Sequence, residues 1–386
     1  MLFSPESHEP LLEEPWDATA IEATIREIVE DAEAAFDDGW PSHPEDEDEP
    51  RHFRTVYLGG AGVIRALDEL QGRGLAELRH DYVPYLDREY VPDFPEYPDN
   101  ERSLLMGETG IRMVLHRLSP SAANADRLAE LIAANARDER RELMWGSPGT
   151  MLVADALRRE TGEPRWQELW RQSAAWLDGE WEADWGGWTQ ELYGSTTRYL
   201  GPAHGAAGCF LALAADPIAG DGHERAAALM RRYAVEEGGL ANWSPEAGLA
   251  DTGLDAGGDG QIRVQWCHGA PGMVASLAGL APDDSEHDRL LRAGGELTWR
   301  AGPLAKGAGL CHGTAGNGYA FLALLERTKD EVWLERARAF AMHAASQVAR
   351  QRAAYGRGRF TLWTGDLGPA VYLADCLAGA GALPLP

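Results

Sequence analysis

A Gly-x-x-Gly pattern followed by a run of small and apolar residues recurs seven times along this chain, and no other feature limits its fold as much. The segments are YLGGAGVIRAL (57–67), LMGETGIRMVL (105–115), MWGSPGTMLVA (144–154), AHGAAGCFLAL (203–213), CHGAPGMVASL (267–277), CHGTAGNGYAFL (311–322) and WTGDLGPAVYL (363–373). Their first glycines are Gly59, Gly107, Gly146, Gly205, Gly269, Gly313 and Gly365, at intervals of 39 to 64 residues. One match would carry little. Seven, spread over the whole length, mark one supersecondary unit used again and again.

Each unit reads the same way. The paired glycines permit a tight turn and close approach of neighbouring backbone. The apolar run that follows suits a helix buried on most sides. Between the runs lie stretches with apolar residues at helical spacing and charges interleaved, at 18–36, 125–137, 166–181, 224–235 and 332–348. Few segments alternate as strands do. The reading is an all-α chain of seven outer amphipathic helices and seven inner apolar ones. An open solenoid is the alternative. Closure into a ring is preferred, because inner helices this apolar need neighbours on both sides. A closed ring gathers all seven turns at one end, where a site would form. Most of the glycines serve turns and packing, so function is to be sought where a repeat carries something its siblings lack.

Composition narrows the function classes. A formal charge of −27, from 62 acidic and 35 basic residues, argues against nucleic-acid binding, which needs a basic footprint. An acidic surface maintains solubility and would attract a basic peptide. Nothing approaches eighteen unbroken apolar residues, so no membrane span is expected. The start, MLFSPESHEPLLEEP, is acidic and lacks the features of a secretory signal. The expected location is the cytoplasm. Four cysteines are too few for a disulfide scaffold. The chain is read as one unit over 1–386, with 1–50 an acidic helix and loop leading into the first repeat. Residues 41–51, PSHPEDEDEPR, read as a solvated loop.

Repeats five and six carry the extra chemistry. Each opens on Cys-His-Gly: Cys267-His268-Gly269 and Cys311-His312-Gly313. Adjacent repeats in a ring set equivalent positions side by side, so the two Cys-His pairs should meet. Thiolate and imidazole suit tetrahedral zinc, and two cysteines with one histidine leave a coordination position open, as catalytic sites do. The spacing does not decide which histidine binds. Cys209 and Cys376 fall within inner helices and read as core. Repeat four adds His204, in the register of His268 and His312, and a histidine at the same rim can move protons near neutral pH.

These residues resemble the LanC family, the bacterial lanthionine cyclases and eukaryotic LanC-like proteins. The matching segments are Gln265-Trp266-Cys267-His268-Gly269-Ala270-Pro271-Gly272, Cys311-His312-Gly313-Thr314-Ala315-Gly316 and Gly201-Pro202-Ala203-His204-Gly205. The resemblance implies an α/α toroid and one zinc per chain held by Cys267, Cys311 and His312, with His268 not a ligand. It implies that a metal-bound thiol adds to the β-carbon of dehydroalanine or dehydrobutyrine, and that the enolate is then protonated. Carried over one by one, His204 matches a proton-transfer histidine and Arg263 an arginine that could stabilise the enolate oxygen. His268 stands where bacterial cyclases have tyrosine and LanC-like proteins histidine, and is a candidate acid. Glu142 stands where bacterial cyclases carry aspartate. That departure leaves it readable as a catalytic partner or as a surface glutamate, the surface reading being preferred.

Two substrate branches follow: cyclisation of a dehydrated peptide, which would need a separate dehydratase, and addition of a small thiol such as glutathione. A non-catalytic zinc-containing module that binds a peptide or scaffolds another enzyme is the competing function. The open metal position, His204 and Arg263 favour the enzyme. A toroidal glycosidase or epimerase is a third reading, but the turns carry only scattered acids, Glu108 and Asp366, rather than paired carboxylates. The segment 238–261, rich in Gly, Asp and Asn, is either a loop at the mouth or a long connection.

Overall fold

The structure is a computed structural model that describes residues 2–95, 97, 101–214, 221–248 and 263–386. The seven apolar runs form seven inner helices: Gly60–Gly72, Glu108–Leu118, Ser147–Thr161, Ala206–Leu213, Ala270–Leu277, Thr314–Thr328 and Leu367–Ala378. In six of them the first pattern glycine is the residue that caps the helix, and no side chain bonds to the cap. The exposed amides of the first turn need acceptors. They find them seven residues back: Gly60 N donates to Phe53 O at 2.9 Å, Ala206 N to Tyr199 O at 3.0 Å and Thr314 N to Gly307 O at 2.9 Å. The chain thus doubles back on itself before entering each helix.

The second glycine of the pattern is fixed by how tightly that turn folds. A Cβ on Gly62 would lie 2.1 Å from Val56 O and 2.9 Å from Leu362 Cβ, which belongs to repeat seven. The same geometry recurs one repeat on: Gly110 against Val56, Gly149 against Leu104, Gly208 against Leu143, Gly272 against Pro202 and Gly368 against Leu310. Six of the seven second glycines therefore receive the side chain of the preceding repeat, Gly316 meeting only the Leu310 backbone of its own turn, and the contact from repeat seven to repeat one closes the ring. Backbone bonds between equivalent turn positions reinforce it. Trp363 N donates to Tyr57 O, Tyr57 N to Leu105 O, Met144 N to Ala203 O, Cys267 N to Cys311 O and Cys311 N to Trp363 O.

Around this ring lie the outer helices Ala18–Ala34, Ala122–Asn135, Pro164–Gly179, Gly222–Tyr233, Ser285–Ala301 and Val332–Tyr355. Three start on the side-chain caps Asp17, Ser121 and Asp284. Their buried faces, such as Ile21, Ile25, Ile28 and Val29 on the first, pack on the inner layer. The outer position of repeat two departs from the expected seven-fold scheme, and among the described residues it holds only the four-residue α-helix Val83–Leu86. Pro84 is accommodated in its first turn, whereas Pro92 and Pro95 would each remove a donor and clash with the preceding turn if the helix ran on.

Among the described residues two short hairpins interrupt the helical pattern. Gln190–Leu192 pairs with Ser195–Thr197, and Ala234–Glu237 with Leu240–Trp243. Their tips, Tyr193-Gly194 and Gly238-Gly239, all have positive φ, as a two-residue turn of the primed type requires. The glycine-rich segment 238–261 therefore begins as half a hairpin, and 249–262 fall outside the described residues. The acidic loop 41–51 is less solvated than its composition predicts. Glu45 and Asp46 accept from the Arg359 guanidinium, Thr364 Oγ1 donates to Asp46 at 2.9 Å, and His43 is buried. Among the described residues no helix is long and apolar enough to cross a membrane.

Candidate metal centre and active site

The ring register brings the two Cys-His turns together. Cys267, Cys311 and His312 present ligand atoms that all lie within 4.8 Å of one another, with both sulfurs buried and the imidazole partly accessible. His268 is outside this group. It sits in the same turn, its ring 5.6 Å from that of Tyr199.

The turn carrying Cys267 is built by distant side chains. Asn242 Oδ1 accepts from Ala270 N at 2.7 Å, and its amide nitrogen donates to Arg263 O at 3.2 Å. Asn317, on the inner helix of repeat six, donates to Val264 O at 2.9 Å. Gly269 has φ +109°, and a Cβ there would come within 1.9 Å of Arg263 O. Here glycine is demanded by both conformation and space.

The two thiols titrate as a pair. A hydrogen bond from Cys311 chiefly, with one from His312, holds the Cys267 thiol well below its ordinary value despite burial. The same shared proton, together with burial, pushes Cys311 well up. Cys267 is thus the more acidic thiol of the pair, and a dication held by both sulfurs would displace their protons. The donor set, two sulfurs and a nitrogen at converging positions, fits zinc. Cys209 and Cys376 are fully buried thiols whose pKa burial raises; Cys209 Sγ donates to Arg141 O at 3.1 Å. Both lie in the core.

Beside the sulfurs stands a second pair. His204 Nδ1 donates to Glu142 Oε2 at 2.8 Å. Glu142 is not a surface residue: it is wholly buried, and its carboxylate also accepts from the amides of Met144, Trp145 and Gly146 at 3.0, 2.5 and 3.0 Å. It folds back onto its own turn, which leaves one oxygen facing repeat four. Burial works to lower the pKa of His204, but the hydrogen bond and charge of Glu142, aided by Cys267, hold it above the ordinary histidine value. Tyr199 links the two histidines, its ring 6.2 Å from His204 and 5.6 Å from His268.

On another flank a cavity of about 390 Å³ is lined by Arg263, Gln265 and Lys306 and by Ser4, Glu6 and His8 of the N-terminal segment. That segment is tied down by Glu9 N donating to Pro303 O and Ala305 N to Ser7 O. Lys306 is close enough for its charge to act on Cys311. Sequence reading passed over Lys306, Asn242, Gln265 and Tyr57. Only Tyr57 carried a positional signal, since it precedes Gly59 by two, as Cys267 and Cys311 precede their own glycines. Of the scattered acids Glu108 and Asp366, both are buried, and Glu108 is bound by Arg112 and Arg127.

Comparison with known proteins agrees with this geometry. The model of the lanthionine synthetase C-like protein family matches residues 53–382. Over 201 residues the chain is 33% identical to "Glutathione S-transferase LANCL1" of Danio rerio, covering 50% of this chain and 45% of that protein. Over 188 residues it is 30% identical to "LanC-like protein GCL1" of Arabidopsis thaliana, covering 47% and 41%. The matched stretch thus spans less than half the length of either relative. Nisin cyclase superposes with a TM-score of 0.54 at 17% identity, covering 85% of this chain and 94% of that structure, a likeness of fold. With a family match that takes in all seven repeats and both Cys-His turns, this chain belongs to the lanthionine synthetase C-like family.

Proposed function

We propose that this protein is a zinc-dependent enzyme that forms thioethers by adding a thiol to dehydroalanine or dehydrobutyrine. The observation that carries the reading is the convergence of Cys267, Cys311 and His312 beside the buried Glu142–His204 pair. A zinc ion held by the three residues would keep a substrate thiol, whose free pKa is about 8.5, in its nucleophilic thiolate form.

The chain's own groups divide the remaining work. Glu142 holds the proton on Nδ1 of His204 and orients the ring, leaving Nε2 to exchange a proton with the substrate. His204 accepts the thiol proton or returns one to the enolate α-carbon; His268, across Tyr199, is the second candidate acid. The Arg263 guanidinium supports the negative charge that grows on the enolate oxygen. A binding module or scaffold has no use for such an arrangement, and that alternative is set aside.

Between the two thiol sources, glutathione is favoured over an internal peptide cysteine. The cavity that reaches Gln265, the donor to Cys267 Sγ, is lined by two cations, Arg263 and Lys306, against one acid, Glu6, a balance that suits a thiol carrying carboxylates. The printed name of the Danio rerio relative points the same way. A peptide substrate would need a separate dehydratase. We place the reaction in the reducing cytoplasm, which would keep the cysteine sulfurs available to a metal. We take 1–386 to act as one unit.

The test is incubation of zinc-loaded protein with a dehydroalanine-containing peptide and glutathione, and separately with a dehydrated cysteine-containing peptide, read by mass and thiol alkylation. A glutathione adduct supports the favoured branch, and a ring closed without glutathione supports the other. No thioether in either case, from protein that holds its zinc, overturns the function.

A further inference from the structure

A metal centre of this kind has a selectivity problem. Two protein thiolates and the substrate thiolate would be the same nucleophile, and the protein ligand atoms lie within 4.8 Å of one another. An electrophile that reaches the substrate sulfur is also within reach of Cys267 and Cys311. Alkylation of either would destroy the site, so something must distinguish the sulfurs.

Each protein sulfur has a polar side chain beside it. Gln265 Nε2 donates to Cys267 Sγ at 3.1 Å. Gln265 is buried and fixed two residues from that cysteine by reciprocal backbone bonds with His268, N to O at 3.0 and 3.2 Å. Tyr57 is set beside Cys311 by the backbone: Trp363 N donates to Tyr57 O and Cys311 N to Trp363 O, and the phenol and the Cys311 thiol are close enough to act on each other's protons. Tyr57 reaches it from repeat one by lying across Trp363, the two rings stacked at 6.1 Å and 15°. Neither Gln265 nor Tyr57 belongs to the ligand set or to the proton-transfer pair, and neither side chain is an accident of a mobile surface. Hydrogen bonds to a thiolate withdraw charge from its lone pairs, and groups of this kind commonly orient and tune metal ligands.

We propose that Gln265 and Tyr57 are sulfur-tuning residues: each donates to one protein sulfur and so keeps Cys267 and Cys311 from adding to the dehydroamino acid in place of the substrate thiol. The inference rests on the thioether-forming reading above. The suppressed reaction is simple. The cysteine sulfur lone pair would form a C–S bond to the β-carbon, the C=C electron pair would pass into the enolate, and water would return a proton to the α-carbon, with nothing leaving.

Tyr57→Phe and Gln265→Leu each remove one donor and little volume. Zinc-loaded protein is incubated with N-acetyldehydroalanine methyl ester in the absence of any thiol, and the adducts are mapped by peptide mass. Hydrogen bonds to charged groups are strong enough that losing one should accelerate labelling about 10- to 100-fold. Labelling is expected at Cys311 in Tyr57→Phe and at Cys267 in Gln265→Leu, with zinc content and circular dichroism parental at the start. A merely loosened site would label both cysteines in both variants, and that result overturns the proposal. So does labelling at the parental rate in folded, zinc-loaded variants. If Gln265→Leu does not fold, Gln265→Met takes its place, and Tyr57→Phe decides by itself if neither folds. Parent protein that holds no zinc or joins no glutathione to the acceptor refutes the thioether function instead. An active parent with unlabelled variants refutes this inference alone.

Discussion

Replacing Glu142 by glutamine probes the proton-transfer pair with almost no change of shape. The carboxylate accepts four hydrogen bonds: Oε1 takes the amides of Trp145 and Gly146, and Oε2 takes Met144 N and His204 Nδ1. Glutamine offers one oxygen and one NH2. With the oxygen kept on the Trp145 and Gly146 amides, the NH2 meets the Met144 amide and the imidazole. The Met144 donor is then left buried without an acceptor, at a cost of about 1–3 kcal/mol. His204 must turn its other tautomer to the site, with the proton on Nε2 and no carboxylate behind it. Loss of a general acid–base group of this kind lowers rate by roughly 10²–10⁴-fold. The pH profile supplies the sharper test. In the parent Glu142 outweighs burial and raises the His204 pKa. In Glu142→Gln burial is opposed only by the charge of Cys267, so the pKa falls and the rate limb belonging to this histidine moves to lower pH. Stability follows the same sign. A raised pKa contributes stability that is fully present below the unfolded value of about 6.5 and is lost as pH rises through the folded one. Glu142→Gln should therefore be more destabilised, relative to parent, at about pH 5.5 than at about pH 8.5. Denaturant melts at both pH values and a pH–rate profile of glutathione addition measure this. A variant that retains its zinc, its turnover and the parental limb would remove Glu142 and His204 from the chemistry.

Other perturbations separate metal, fold and substrate binding. Chelation should abolish activity while leaving helical circular dichroism nearly unchanged, since a ring of this size buries its core without the metal; wholesale loss of helicity would make the site structural. His312→Ala should lose most of its zinc and His268→Ala should keep it, by metal analysis, because only His312 joins the two sulfurs; the reverse result would exchange the ligands. Gly269→Ala places a side chain at φ +109° against Arg263 O. The backbone conformation alone should cost roughly 1–3 kcal/mol in a denaturant melt, and an unshifted midpoint would contradict the turn geometry. Lys306→Ala should raise KM for glutathione more than it lowers kcat, and an equal effect on a neutral thiol would show that its charge does not bind carboxylate.

How much of this was legible in the sequence depends on what each residue answers to. The ring register was readable because the second glycine answers in every unit to the carbonyl oxygen six residues back in its own turn, and a repeated contact leaves a repeated letter. Cys267 and Cys311 were readable for the same reason, since they stand at equivalent positions of neighbouring units; His268 and His312 are equally equivalent, so the choice of His312 came only from the family resemblance. Glu142 was misread as exposed because nothing local distinguishes a carboxylate that folds back onto three amides of its own turn from one that faces water. That choice is made by His204, sixty-two residues on. The prolines of repeat two were visible, but an outer helix was still expected there, because the repeat suggested a uniformity that the sequence between Gly74 and Leu104 does not support.

The distribution of chemistry around the ring has a geometric logic. Repeats five and six supply the sulfurs and His312, repeats three and four the Glu142–His204 pair, and repeat one reaches Cys311 across repeat seven through Tyr57. Residues 57 and 311 are remote in sequence, yet in a ring of seven they are separated by a single turn. A closed ring turns sequence distance into position around a rim, so one end can assemble donors from five different units while every inner helix stays buried. The core and the site are therefore separable. Substitutions at the turn positions should change the chemistry with the helices intact, whereas substitutions at the second glycines should open the ring itself. A variant such as Gly62→Leu, whose side chain would have to occupy the space of Val56 O and Leu362, should lose zinc and cooperative unfolding together. Zinc retained on a chain that no longer melts cooperatively would show that the metal turns hold together without the ring, and would refute the idea that closure builds the site.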